Sequence, residues 1–126
     1  MSDESRVVVC ADHELEPGGM AAARLGMLPV VAVRTFDGEL HAFVDRCLHQ
    51  GARLSGGRVL PHTDGDAVGE HRMLDAQEVV KCPWHGDEYD VRTGCAVFDR
   101  RRSLRRLAVS VEDGQVVITL TNLSVC

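Results

Sequence analysis

The sequence predicts an all-β fold, and three observations carry that expectation. Two Asp-Gly dipeptides, Asp37-Gly38 and Asp113-Gly114, each stand between apolar runs and supply the positive φ angles of tight hairpins. The second pair alternates on both arms, with Leu107, Val109 and Val111 facing Val116, Ile118 and Leu120, the period of strands that cover one face of a core. Short β-branched runs recur elsewhere along the chain.

Taken in order, Arg6 to Cys10 is the first such run and is read as a strand. Residues 13 to 27 are rich in Gly and Ala and are read as holding a helical turn, with Gly18-Gly19 breaking any longer helix. Leu28 to Phe36 and Glu39 to Val44 form the arms of the first hairpin. Glu78 to Cys82 is a further strand. Between these, 46–57 and 82–94 resist a strand reading: each follows a strand, carries several glycines and contains both a Cys and a His. Residues 61–77, with Pro61, Asp64-Gly65-Asp66 and Gly69, read as a polar surface insertion. A chain of 126 residues supports one modest core, so 1–126 is expected to be a single domain carrying that insertion at about 61–77.

Composition excludes several functions. Apolar residues make up 44% and charged residues 26%, ordinary values for a globular protein, and no apolar run approaches the roughly 20 residues of a membrane span. A net charge of -5 argues against nucleic acid as partner. The start, MSDESR, lacks the basic and apolar regions of a secretory signal, so a cytoplasmic location is expected. Five cysteines are an odd number for a disulfide framework, which favours metal or redox use. No Gly-x-Gly-x-x-Gly fingerprint is present.

Position singles out four residues. Cys47-Leu48-His49-Gln50-Gly51 and Cys82-Pro83-Trp84-His85-Gly86 each offer one thiolate and one imidazole from a single loop. Two such loops give a Cys2His2 donor set, compatible with zinc or with an iron–sulfur centre. Glycine after each pair lets the backbone turn closely around a bound group.

These motifs resemble the C-x-H and C-x-x-H signature of the Rieske-type [2Fe-2S] proteins, and nearly the whole chain is similar to their small ferredoxins. Val30 to Gly38, Ala42 to Cys47 and Gly51 to Gly57 resemble the approach to and exit from the first loop; Cys82 to Gly86 and Tyr89 to Gly94 are close to the second. The resemblance implies an antiparallel β-sandwich or barrel base with a cluster-binding subdomain made by two loops. It implies one [2Fe-2S] cluster, with Cys47 and Cys82 on one iron and His49 and His85 on the outer one, and a potential above that of an all-cysteine cluster. Trp84, Asp87 and Tyr89 are the implied tuning residues around it.

The resemblance also implies function: a one-electron carrier between a reductase and a partner enzyme, an oxygenase or a nitrite-reductase-type enzyme. Such a protein is non-catalytic itself, or the electron-transfer component of an oxidoreductase system. The reading from another class is a zinc-stabilised or redox-responsive binding module. Three departures from the family pattern stand out. Leu48 replaces the usual proline; Gln50, Gly51 and Trp84 leave no cysteines for the disulfide that bridges the loops in respiratory members; and 32 residues separate His49 from Cys82. Asp87 holds the position of a hydrogen-bonding serine while Tyr89 aligns with the tuning tyrosine, so a low Rieske potential is expected, about -150 to 0 mV.

The remaining candidates receive plainer readings. His62 and His71 fall in the insertion and are read as exposed, and His13 and His41 as surface or strand residues. Cys10 and Cys95 are expected as small buried thiols and Cys126 as a terminal thiol. The arginines at 100–102, 105 and 106 fit a solvated strand edge as well as a docking patch.

Overall fold

A computed structural model describes residues 5–47, 52–61, 78–83, 87–97, 99 and 101–120. Nine strands form within them: β1 (Arg6–Ala11), β2 (Met20–Leu25), β3 (Leu28–Arg34), β4 (Leu40–Val44), β5 (Arg58–Pro61), β6 (Glu78–Lys81), β7 (Glu88–Asp90), β8 (Arg106–Glu112) and β9 (Gln115–Thr119). Helical structure among the described residues is limited to two single 3-10 turns, Asp12–Glu14 and Leu54–Gly56. The all-β expectation holds.

Six strands make one antiparallel sheet in the order β1-β9-β8-β4-β3-β2, whose two edge strands pack side by side and nearly close it. β5, β6 and β7 make a second, three-stranded sheet. The Asp113-Gly114 turn joins β8 to β9 with Glu112 opposite Gln115, and both turn residues have positive φ (53° and 75°). That pair of angles is the two-residue hairpin geometry that matches strand twist.

β3 explains how the two sheets relate. Its five central residues are all buried, and because side chains alternate faces it serves two cores. Val30 and Ala32 point into the large sheet's own interior with Ala42, Leu107, Val116 and Ile118. Val31 and Val33 join Phe43, Leu54, Val59, Val80, Tyr89, Val91 and Leu104 between the sheets. Burying a Leu, Ile, Val or Phe side chain contributes about 1.5–3 kcal/mol, so this second cluster holds the small sheet against the base.

Three expectations are corrected. Residues 20–25 form a strand where a helical turn was expected, with the turn itself confined to Asp12–Glu14. Alanine favours helix, but Met20–Leu25 pairs residue for residue with β3, and that ladder overrides local propensity. β7 lies inside 82–94, read as a loop, and pairs with β6 from Val79–Asp90 to Lys81–Glu88, while β5 forms in residues 58–61, which carried no strand reading. Cys95, expected as a buried thiol, is buried but disulfide-bonded; spacing alone cannot reveal pairing. Cys10 is a half-buried thiol in β1, and burial raises its pKa. The insertion beyond Pro61, with His62 and His71, lies outside the described residues, as does Cys126.

Candidate metal centre

Each sheet delivers one motif cysteine from the end of an interior strand. Cys47 follows β4 by three residues and Cys82 directly follows β6. Both are reduced, both are almost fully buried, and both belong to the apolar cluster between the sheets. Each loop is pinched at its base by a backbone bond from its cysteine. The Cys47 N–H donates to the Ala52 carbonyl at 2.7 Å, and the Cys82 N–H to the Asp87 carbonyl at 2.7 Å. In sequence His49 falls between Cys47 and Ala52, and His85 between Cys82 and Asp87. His49, His85 and Trp84 lie outside the described residues. The described residues thus supply two of the four expected donors, and among them no group of three or more His, Cys, Asp or Glu could hold a metal.

Tyr89 lies beside a motif sulfur. It is fully buried, and its hydroxyl lies 3.2 Å from Cys47 Sγ. Its backbone is held from both sides, paired with Val80 in β6 and bridged to Ala96. Asp87 Oδ2 stands at 4.0 Å from the same sulfur. Of the expected tuning residues, Tyr89 and Asp87 are therefore placed beside Cys47. A pair of buried thiols in an apolar lining, one facing a hydroxyl, fits a thiolate-bound iron–sulfur group: burial limits solvent access, and the hydroxyl can donate to an anionic sulfur.

Sequence reasoning missed two carboxylates that set the loops in place. Asp45, two residues before Cys47, is completely buried. It accepts bonds from the Ser55 N–H (2.8 Å) and hydroxyl (2.6 Å), while its own N–H donates to the Pro29 carbonyl (2.9 Å). Both ends of the first loop are thereby tied to one side chain. Glu78, at the start of β6, is also buried; it accepts from the Phe36 N–H (2.6 Å) and from Arg92 (3.1 Å). Arg92 also reaches Glu39 and Asp37 in the β3–β4 turn, so one guanidinium spans the small sheet and the base. The bond from the Thr35 hydroxyl, with Arg92 nearby, holds the Asp37 carboxyl below its ordinary range. An Asp two residues before the first Cys is the only sequence signal for either device.

Gly57 packs tightly against the end of β6. A Cβ there would sit 1.8 Å from the Lys81 carbonyl oxygen, so no side chain fits. His13 is exposed in the first turn, and His41 in β4 lies 3.2 Å from Glu39, consistent with surface and strand roles.

Comparison with known proteins gives one consistent result. The family model described as "Rieske [2Fe-2S] domain" matches residues 5–108. The 3-phenylpropionate/cinnamic acid dioxygenase ferredoxin subunit of Photorhabdus laumondii is 31% identical over 118 residues, covering 93% of this chain and 96% of that protein. A chain in the complex of reduced oxygenase and oxidized ferredoxin of carbazole 1,9a-dioxygenase superposes with a TM-score of 0.71 at 28% identity, covering 95% of this chain and 97% of that one. A Mycobacterium tuberculosis protein described as the small subunit of an NADH-dependent nitrite reductase shares the fold, with a TM-score of 0.73 at 21% identity over 94% of this chain and 96% of its own.

Proposed function

This chain belongs to the Rieske [2Fe-2S] domain family, carries one [2Fe-2S] cluster and works as a one-electron carrier; from that membership we propose how its residues do so and for whom. Cys47, His49, Cys82 and His85 are the cluster ligands, two from each pinched loop. The observation that carries this assignment is the meeting of Cys47 and Cys82 in one buried cluster, each at the base of a loop whose sequence also contains a histidine. When bound, the cluster supplies one-electron redox chemistry at a potential raised by its two imidazole ligands.

The chain's own residues then have separable tasks. The Tyr89 hydroxyl donates to the Cys47 sulfur, favouring the state with more negative charge on that sulfur. The Asp87 carboxylate, 4.0 Å away, opposes it. Asp45 and Glu78 hold the loops at fixed positions on the base, so little rearrangement need accompany a change of charge. The apolar residues between the sheets keep water from the cysteine side.

The electron comes from a reductase and passes to an oxygenase-type acceptor. Support comes from the dioxygenase ferredoxin subunit, similar over almost its full length. The nitrite-reductase-type acceptor rests on shared fold alone and is the less supported of the two. Residues 1–126 act as one domain with a surface insertion at about 61–77, and the protein works in the cytoplasm. No helix among the described residues is long and apolar enough to cross a membrane.

The test is reconstitution with a reductase and an oxygenase component of the dioxygenase type. A brown protein whose visible absorption bleaches with NADH plus reductase, and recovers on adding oxygenase and its substrate, is the expected result. A colourless protein that carries zinc and mediates no electron flow would overturn the proposal in favour of a structural binding module.

A further inference from the structure

Basic residues are unevenly used in this acidic protein. Arg6 pairs with Glu112, Arg34 with Asp12, Arg101 with Asp99, and Arg92 with three carboxylates. Seven others are exposed, and no ion pair or side-chain hydrogen bond among the described residues engages them: Arg24, Arg46, Arg53, Arg58, Lys81, Arg102 and Arg105. Four of the seven, Arg46, Arg53, Arg58 and Lys81, flank the two ligand loops in sequence. Arg46 directly precedes Cys47 and Lys81, the only lysine, directly precedes Cys82. Arg53 opens the 3-10 turn after the first loop, and Arg58 begins β5.

Arg58 and Lys81 stand directly opposite each other in the β5–β6 ladder. Like charges in that position destabilise a sheet. On its other side Lys81 stands opposite Glu88 of β7. The two cations border an open cleft of about 390 Å³ together with Gly56, Gly57, Cys82 and Pro83. Gly57, which has no room for a side chain beside the Lys81 carbonyl, and Cys82 both line this cleft. This exposed cationic pair beside a buried motif cysteine, on a protein of net charge -5, offers a local site for an external counter-charge.

We propose that Arg58 and Lys81, together with Arg46 and Arg53 beside the first loop, form a cationic docking collar for an acidic face of the protein that exchanges electrons with this one. The collar flanks both loops, a spread that suits several carboxylates on a protein surface better than one small anion. It attracts an acidic partner locally against the repulsion of the net charge, and so orients it with the cluster loops toward the acceptor. The collar rests on the electron-carrier reading, and the following experiment separates the two.

Reduced holoprotein is mixed with oxidised cytochrome b5, whose haem edge is acidic, or with cytochrome c, whose haem edge is basic. In each case one electron leaves the cluster and reduces ferric haem to ferrous, with no bond or proton exchanged. With cytochrome b5 the rate should fall as salt rises, the opposite of what two net-negative proteins give without the collar. The double reversal Arg58→Glu/Lys81→Glu should slow it about tenfold at low salt. Wild type and variant should converge near 1 M salt, where screening acts within about 3 Å, which separates docking from any change in driving force. With cytochrome c the same variant should react faster. The control Arg101→Glu/Arg102→Glu should leave the cytochrome b5 rate within about twofold. A cytochrome b5 rate unchanged by the Arg58/Lys81 reversal overturns the collar alone, as does a loss confined to the 101/102 variant, which moves docking to the second basic run. A dithionite-reducible protein that passes electrons to neither cytochrome overturns the carrier reading and the collar together.

Discussion

Replacing Tyr89 with phenylalanine removes one oxygen atom and keeps the ring, which makes it a clean probe of the cluster environment. The hydroxyl sits 3.2 Å from Cys47 Sγ in a fully buried position, and a thiolate sulfur has no proton, so the tyrosine must be the donor once Cys47 is a ligand. A bond to a charged acceptor contributes about 1.5–3 kcal/mol, but only the part that differs between oxidised and reduced states moves the potential. Taking that part as about 1 kcal/mol, and a one-electron decade of about 59 mV for about 1.4 kcal/mol, the potential should fall by about 40 mV. The sign follows from charge. The added electron makes the sulfur a better acceptor, so the donor favours the reduced state and its loss lowers the potential. Asp87→Ser should act oppositely, removing a negative charge 4.0 Å from the same sulfur and raising the potential. Protein-film voltammetry on wild type and both variants, each with its visible spectrum retained, reads the two shifts. A Tyr89→Phe potential equal to or above wild type would refute the reasoning, since no other effect of removing that hydroxyl favours reduction.

Asp45→Ala should cost about 2–4 kcal/mol in chemical unfolding, because it removes two bonds to Ser55 and leaves the N–H and hydroxyl of Ser55 in a half-buried site without their acceptor; a loss below about 0.5 kcal/mol would show that Asp45 does not anchor the first loop. Replacing 62–77 with a two- to four-residue glycine linker should leave the visible spectrum intact, since Pro61 and Glu78 are already paired across β5 and β6 and a short turn can join them. Cluster loss in that protein would assign the insertion a supporting role. The Asp37 carboxyl is held below its ordinary pKa, so the stability it contributes is complete above its unfolded value of about 3.9 and lost as pH falls through its lowered folded value. The stability gap between wild type and Asp37→Asn should therefore be constant from neutral pH to about pH 5 and close at lower pH in acid unfolding curves.

What the sequence made legible was local chemistry. Asp113-Gly114 specifies its turn because both residues adopt positive φ, and on its arms Leu107, Val116 and Ile118 are buried as the alternation expects, whereas Val111 and Leu120 are exposed and Val117, on the opposite face, is buried too. The Cys-x-His and Cys-x-x-His pairs point to donors by type and spacing, and both cysteines lie in the one buried cluster between the sheets. What stayed hidden was set by distant partners. Met20–Leu25 is Ala-rich and becomes a strand because β3 offers it an unpaired edge. β5 and β7 have four and three residues, too few for any periodicity to register. Glu78 and Asp45 look like ordinary surface acids in sequence; their burial depends on Phe36 and Arg92, and on Ser55, contacts that exist only after the two sheets pack. The collar cations gave no signal either, since Arg58 and Lys81 are 23 positions apart and become neighbours only through the β5–β6 ladder.

On the proposed ligand set, two thiolates and two imidazoles from these loops hold one [2Fe-2S] cluster. Electron paramagnetic resonance of the dithionite-reduced protein tests it most directly, on wild type beside His49→Ala and His85→Ala. The account predicts the low average g value of a nitrogen-ligated cluster in wild type and its loss in both variants, with thermal stability falling alongside because bound metal contributes folding free energy. A wild-type spectrum of the all-cysteine kind, or an unchanged spectrum in either histidine variant, would contradict it.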